Sequence, residues 1–328
     1  MKRIFFYLIF LIILAGCDQR TILPNPEIAL PAFTAFPTHT AQIFNTSLPP
    51  KETPTPIDIP ATATPTSIPS LRFAIIGDYG LAGEPLAAVA YLVNSWLPDF
   101  ILTTGDNNYP LGEASTIDTN IGQYFHQYIY PYNGDYGEGS TVNRFFPTLG
   151  NHDWYSNDAE AYLEYFTLPG NERYYQFSWD FIDFFAIDSD WSEPDGNREN
   201  SVQGEWLKNA LAQSNAQWKI VTIHHPPFAS GTREPMLVNR WPYQEWGADI
   251  VIADHDHHYE RLIINDFPYF VNGLGGGGLY DIGEIISGSE VRFRGNWGAQ
   301  LVEATTFEIT LTFITIDGEM IDSFTINK

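Results

Sequence analysis

From Leu71 onward, short apolar runs alternate with polar turns. LRFAIIG, DFILTT, RFFPTLG, WKIVTIHH and DIVIAD are too short for helices and end in polar residues, which predicts buried strands. Between several of them, EPLAAVAYLVNSW and SVQGEWLKNALAQS read as helices. Strands alternating with helices argue for an α/β core. From about Tyr259 the chain turns strand-rich, with ERLIIND, PYFVNG, LVEATTFEITLTFITID and MIDSFTI and little helix. Two packed sheets with helices outside are expected. Neither an internal repeat nor a second linker interrupts residues 71–328, which predicts one domain there.

The N-terminal fifth reads differently. MKRIFFYLIFLIILAG, residues 1–16, has a basic start, a short apolar run and small residues before Cys17, which predicts a signal peptide rather than a lasting span. LAGC resembles the bacterial lipobox, whose cysteine carries the lipid. Cys17 is the only cysteine and has no internal disulfide partner, so a lipid attachment explains it better than an ordinary signal beside a stray thiol. Residues 17–70 form the lipid-bearing Cys and a Thr/Pro-rich linker; positions 21–70 hold 11 of the 23 prolines. Such composition favours extended, solvated chain. The expected address is outside the cell, anchored by lipid to the outer side of the bacterial cytoplasmic membrane or to the cell surface.

Charge narrows the partners. There are 16 Lys and Arg against 40 Asp and Glu, a formal net charge of −24. That surface repels nucleic acid, so no nucleic-acid binding is expected, and no protein partner is evident. It repels phosphate esters too, unless positive charge sits at the site. Bound metal cations would reconcile the two.

Open α/β sheets bind beyond the carboxyl ends of their strands, and the chemistry concentrates there. The ends read Gly77-Asp78-Tyr79-Gly80, Gly105-Asp106-Asn107-Asn108-Tyr109, Gly150-Asn151-His152-Asp153, Val221-Thr222-Ile223-His224-His225-Pro226 and Asp254-His255-Asp256-His257-His258. Six of the eight histidines fall in the last three groups, which scattered histidines would not do. Carboxylate, amide oxygen and imidazole suit borderline metals, and no thiolate is at hand for a structural zinc site. Five groups offer more ligands than one tetrahedral ion needs. Two ions about 3.5–4 Å apart, sharing a carboxylate, would use them.

In order, D-x-G, GDxxY, GNHD, VxxH and H-x-H resemble the calcineurin-like metallophosphoesterases, and more narrowly their purple acid phosphatase branch, over residues 73 to about 261. The resemblance implies a four-layer α/β/β/α sandwich of two mixed sheets flanked by helices, with a binuclear site at the strand C-terminal ends. It places Fe(III) on Asp78, Asp106, Tyr109 and His257. A divalent Fe, Zn or Mn would take the bridging Asp106 with Asn151, His224 and His255. His224 is preferred to His225 because it aligns with VxxH; His225 stands beside the ligands, faces substrate, or simply packs. Most of the superfamily writes D-x-H where this chain has Gly80. In the purple branch a tyrosine three residues after the bridging Asp, here Tyr109, fills the gap.

The implied activity is acid-phosphatase-like hydrolysis of small phosphorylated substrates, by in-line attack of a metal-activated hydroxide on phosphorus. His152 would sit beside the phosphate, stabilising the transition state or protonating the leaving group, with Asp153 orienting it. A phosphodiesterase or nucleotidase with the same metals is the alternative, and a surface binding module without activity a further one. The family's last motif is G-H-x-H, but Asp254 replaces the glycine, which is expected to burden a tight turn and to alter charge beside the histidines. Asn272-Gly273-Leu274-Gly275-Gly276-Gly277-Gly278 lacks a P-loop ending and is expected to be a close-packed loop near the site. Trp154 and Tyr155 are either pocket wall or core, and Asp188 and Asp190, at the strand end in FFAIDSD, are expected to serve turns or to back up ligands rather than bind metal.

Overall fold

A computed structural model describes residues 70–233 and 235–328; the signal segment, Cys17 and the Thr/Pro-rich stretch as far as residue 69 lie outside them. In chain order the strands are β1 (Leu71–Ile76), β2 (Phe100–Thr103), β3 (Phe145–Phe146), β4 (Tyr175–Trp179), β5 (Ile182–Ala186), β6 (Trp218–Thr222) and β7 (Ile250–Ala253). Then come β8 (Tyr259–Ile264), β9 (Phe267–Asn272), β10 (Ser289–Phe293), β11 (Gly298–Ala304), β12 (Glu308–Thr315) and β13 (Met320–Asn327). They make a six-stranded sheet, β13-β12-β11-β1-β2-β3, and a seven-stranded one, β10-β8-β9-β7-β6-β5-β4. Both are mixed: β1, β2 and β3 run parallel, as do β5, β6, β7 and β9, while their neighbours are antiparallel.

The apolar runs explain this layering. Phe184, Ile220, Ile250 and Ile252 face the first sheet. Phe185, Val221, Val251 and Ala253 point the other way, into a cluster with Leu207 and Leu211 of the helix Val202–Gln213. A sheet buried on both faces needs an unbroken apolar run, and these strands have one. Between the sheets, Phe73 stacks on Phe100 at 4.8 Å and meets Phe184 edge-on at 5.4 Å. The helix Glu84–Ser95 buries Leu86, Val89, Ala90 and Val93, spaced as one helical face. Ser201 caps the helix that follows it by accepting from Gly204 N–H at 3.1 Å. No helix among the described residues is long and apolar enough to cross a membrane.

Two features depart from the sequence reading. LVEATTFEITLTFITID is two strands, β11 and β12, because Thr305 Oγ1 accepts from the Phe307 and Glu308 amides (3.2 and 3.1 Å) and closes a turn. The strands β4 and β10 had no expectation at all, and β5 only as the strand that ends before Asp188. Aromatic residues fill YYQFSWDFIDFF on both faces, so no alternation marks its strands; Asp180 makes the turn with a φ of 51°.

Candidate metal centre

The parallel strands β1, β2 and β3 of the first sheet and β6 and β7 of the second end at one edge, and the five polar groups meet there. Asp78, Asp106 and His255 occupy the left-handed backbone region, with φ of 52°, 51° and 67°. Asp and His tolerate it better than most residues. The expected burden on Asp254 is therefore misplaced: its successor, His255, makes the left-handed step.

Seven side chains form two quartets that share Asp106. In the first, the Tyr109 hydroxyl lies 3.0 Å from Asp78 Oδ1, 2.9 Å from Asp106 Oδ2 and 3.2 Å from His257 Nε2. His257 Nε2 is also 3.2 Å from Asp78 Oδ1. In the second, His224 Nε2 lies 3.0 Å from Asn151 Oδ1, 3.1 Å from His255 Nδ1 and 3.4 Å from Asp106 Oδ1. Asp106 thus turns one oxygen to each quartet.

A metal pair fits these residues. Donors held about 2.1 Å from one ion stand about 3.0 Å apart at right angles and about 3.4 Å apart at tetrahedral angles, and the separations above, from 2.9 to 3.4 Å, match that spacing to 0.1 Å. One phenolic proton cannot satisfy three neighbours. Asp78 Oδ2 is buried with no hydrogen-bond partner among the described residues, although Asp78 is fully buried and Asp106 nearly so. A carboxylate in that state calls for a cation.

The surroundings set charge and aim. Burial works against ionising Asp78, yet the neighbouring His257 holds its carboxyl below the usual range. Burial, with Asp106 and Asp78 beside it, pushes the Tyr109 phenol well above its ordinary value, so only a strongly acidic ion would make it a phenolate. Burial and His224 lower His255 to about 3, which keeps its lone pair free. His257 is aimed by a hydrogen bond from Nδ1 to the Gly278 carbonyl and by Tyr280, whose ring stacks on it at 3.9 Å. His224 Nδ1 meets Asp254 Oδ1 at 2.7 Å. The glycine run is the close-packed loop expected: a Cβ at Gly273 would stand 2.6 Å from Asp78 Oδ2, and one at Gly277 2.8 Å from His257 Cε1.

Gly80 and Tyr109 depend on each other. A Cβ at Gly80 would lie 2.1 Å from the Asn107 carbonyl, and Tyr109 N–H donates to Gly80 O at 2.7 Å. The loop that brings in the tyrosine therefore leaves no room for a side chain at position 80. The amides of GDNNY hold that loop. Asn107 accepts from Thr103 Oγ1 (2.6 Å) and Tyr79 Oη (2.9 Å) and donates to Thr148 O (2.7 Å) and Asp153 Oδ2 (2.8 Å). Asn108 ties the loop forward to Glu113, Thr116 and Asn120.

His152 is at the open side, its side chain 27 % exposed, with Nδ1 donating to Pro110 O at 2.6 Å and Nε2 3.8 Å from Asp106 Oδ2. Asp153 does not orient this ring. It binds the amides of Gly150 and Asn107 and acts on the His152 backbone turn, leaving the ring to Pro110. His225 packs against His224 and His255 with Nδ1 on Ser189 Oγ at 2.8 Å, so it adjoins the second quartet without sharing its contacts; the three imidazoles have nitrogens within 4.8 Å of one another. Trp154 is core, donating to Asp188 at 2.8 Å, whereas Tyr155 is 57 % exposed and accepts from Asn151 Nδ2 at 2.9 Å. Asp188 and Asp190 accept from amides of their own loop, Asp188 besides taking the Trp154 indole. Sequence reasoning missed Tyr280, Ser189 and the Asn107 hub; a signal existed only for Asn107, in the doubled amides of GDNNY.

The family described as calcineurin-like phosphoesterase matches residues 71–259. Purple acid phosphatase 17 of Arabidopsis thaliana is 28% identical over 245 residues, 63% of this chain and 68% of that protein. Purple acid phosphatase 3 of the same plant is 24% identical over 290 residues, 77% and 76% of the two chains. Among solved structures, purple acid phosphatase PPD1 from yellow lupin (Lupinus luteus) has a TM-score of 0.64 at 18% identity and covers 80% of this chain; this chain spans 54% of its length. GAP50, the anchor in the inner membrane complex of Plasmodium, has a TM-score of 0.58 at 20% identity, covering 79% of this chain and 89% of that one.

Proposed function

This chain belongs to the calcineurin-like phosphoesterase family, and from that premise we propose that it is an extracytoplasmic, binuclear metal-dependent phosphomonoesterase of the purple acid phosphatase kind. The observation that carries the reading is the pair of quartets sharing Asp106, with Asp78 Oδ2 buried and unpartnered. Asp78, Asp106, Tyr109 and His257 would hold one ion, ferric because a buried phenol between two carboxylates needs a highly charged partner. Asp106, Asn151, His224 and His255 would hold a divalent Fe, Zn or Mn ion. When bound, such a pair supplies Lewis acidity to water and to phosphoryl oxygens.

The chain's own residues do the rest. Asp106 sets the spacing by facing both positions. Tyr155 holds the Asn151 amide by its nitrogen, which leaves Oδ1 turned inward. The Pro110 carbonyl keeps a proton on His152 Nδ1, so Nε2 is the atom that faces a substrate. Protonated there, it donates to a phosphoryl or leaving oxygen; neutral, it only accepts. Ligand positions fit to bind ions favour catalysis over a binding role, which a shared fold alone leaves open. We further propose that Cys17 carries a lipid and that the Thr/Pro-rich segment tethers the domain outside the membrane.

The test compares initial rates on an aryl phosphomonoester and a bis-aryl phosphodiester with the iron- and zinc-loaded protein. Faster monoester turnover is expected. Preference for the diester would make it a phosphodiesterase, and no turnover of either by protein holding both metals would sink the enzymatic reading.

A further inference from the structure

Asp254 stands where the family motif has glycine, and it is fully buried. Its two oxygens face two donors: Oδ1 lies 2.7 Å from His224 Nδ1, and Oδ2 accepts from Asp78 N–H at 3.0 Å. The pocket around it is made by missing side chains. A Cβ at Gly77 would stand 2.4 Å from Asp254 Oδ2, and one at Gly105 2.4 Å from His224 Nδ1. Without those two glycines the carboxylate and the imidazole could not meet in this way.

We propose that Asp254 is a positioning residue: it fixes the His224 proton on Nδ1, turns Nε2 toward Asn151 and Asp106, and so sets the affinity of the second metal position in particular. This rests on the metal-centre reading above. A carboxylate is what the place requires. Both neighbours are donors, and an amide offers one acceptor oxygen, so Asp254→Asn must turn its NH2 against His224 or against Asp78. Glycine would offer neither. The selectivity follows from what each donor keeps. Asp78 N–H also lies 3.2 Å from Gly105 O and retains that partner, whereas the Nδ1 of His224 has Asp254 alone among the described residues. A carboxylate at the far nitrogen also makes an imidazole a stronger donor, and losing such a partner typically costs about 10–100-fold in metal affinity.

The experiment titrates metal-free full-length protein with zinc and, separately, with ferric ion, wild type beside Asp254→Asn, with thermal melts of both in the metal-free state. Nitrogen-resolved NMR of the zinc-loaded proteins reads which His224 nitrogen carries the proton. The wild type is expected to bind zinc at the His224 position, with that binding weakened about 10–100-fold in D254N, ferric binding at the Tyr109 position unchanged, and the His224 Nδ1–H signal lost or shifted. Zinc and iron weakened alike, or neither, would overturn the positioning role while leaving the metal centre standing. A wild type that binds neither metal would overturn both. If D254N does not fold, the wild-type spectrum decides: a proton on His224 Nε2 instead of Nδ1 refutes the proposal.

Discussion

Asn107 touches none of the would-be substrate space, yet the loop that carries Asp106 and Tyr109 hangs from it. Its fully buried side chain makes four hydrogen bonds, at 2.6, 2.9, 2.7 and 2.8 Å. Asn107→Ala strips all four partners at once. At about 1 kcal/mol for each buried bond, the loss is about 4 kcal/mol. For a domain of this size that lowers Tm by about 10 °C. Asn107→Asp is the sharper case, because it keeps the shape and changes only the donors. The introduced acid would lie where the amide now meets Asp153 Oδ2 and Thr148 O, both acceptors, and one proton can serve only one of them. Burial beside Asp153 raises the folded-state pKa of that acid. The folded form then holds the proton more tightly, and stability falls as pH climbs above the unfolded value of about 3.9. Urea unfolding of the metal-free proteins at about pH 5 and about pH 7.5 measures this. N107D should be at least as damaging as N107A near neutrality and worse at the higher pH. A loss below about 1 kcal/mol for N107A, or an N107D milder than N107A, would refute the hub.

Four further outcomes are expected. Asp106→Asn should leave a folded protein without phosphomonoesterase activity, and retained turnover would refute its bridging place. Tyr109→Phe should remove visible phenolate-to-ferric absorption from iron-loaded protein, as followed by optical spectroscopy. Asp118 accepts from Tyr132 and Tyr165 (2.7 Å each) and from the Asp135 amide (2.9 Å), so Asp118→Ala should release the loop over 111–144 and speed chymotryptic cleavage after the exposed Tyr136 by roughly tenfold. Cys17→Ala should move the protein from the membrane to the soluble fraction on cell fractionation.

The strand ends were legible because apolar runs and polar breaks are local, and β1, β2, β6 and β7 each combine the two. The candidate site was legible for a related reason: histidines are rare in this chain, and most of them sit at strand ends beside acids and amides. What surrounds the ligands was not. Tyr280 reaches His257 from a loop of glycines whose path no periodicity predicts, and Asp254 reads as a defect in a motif until its partners at 2.7 and 3.0 Å are seen. Asp153 misled because adjacency in sequence stood in for contact; a helical turn sends its carboxylate back to Gly150, away from the ring before it. β4 was hidden by aromatic residues on both faces, where alternation carries no information.

Both quartets straddle the seam between the sheets, and they divide by element. Every oxygen donor (Asp78, Asp106, Tyr109, Asn151) follows a strand of the first sheet, and every nitrogen donor (His224, His255, His257) follows a strand of the second. The half made first on the ribosome therefore carries only hard oxygen donors. The imidazoles that would hold a borderline divalent ion come only with the second half, across the seam. A metal pair held by both halves would thus report that the two sheets have closed on each other.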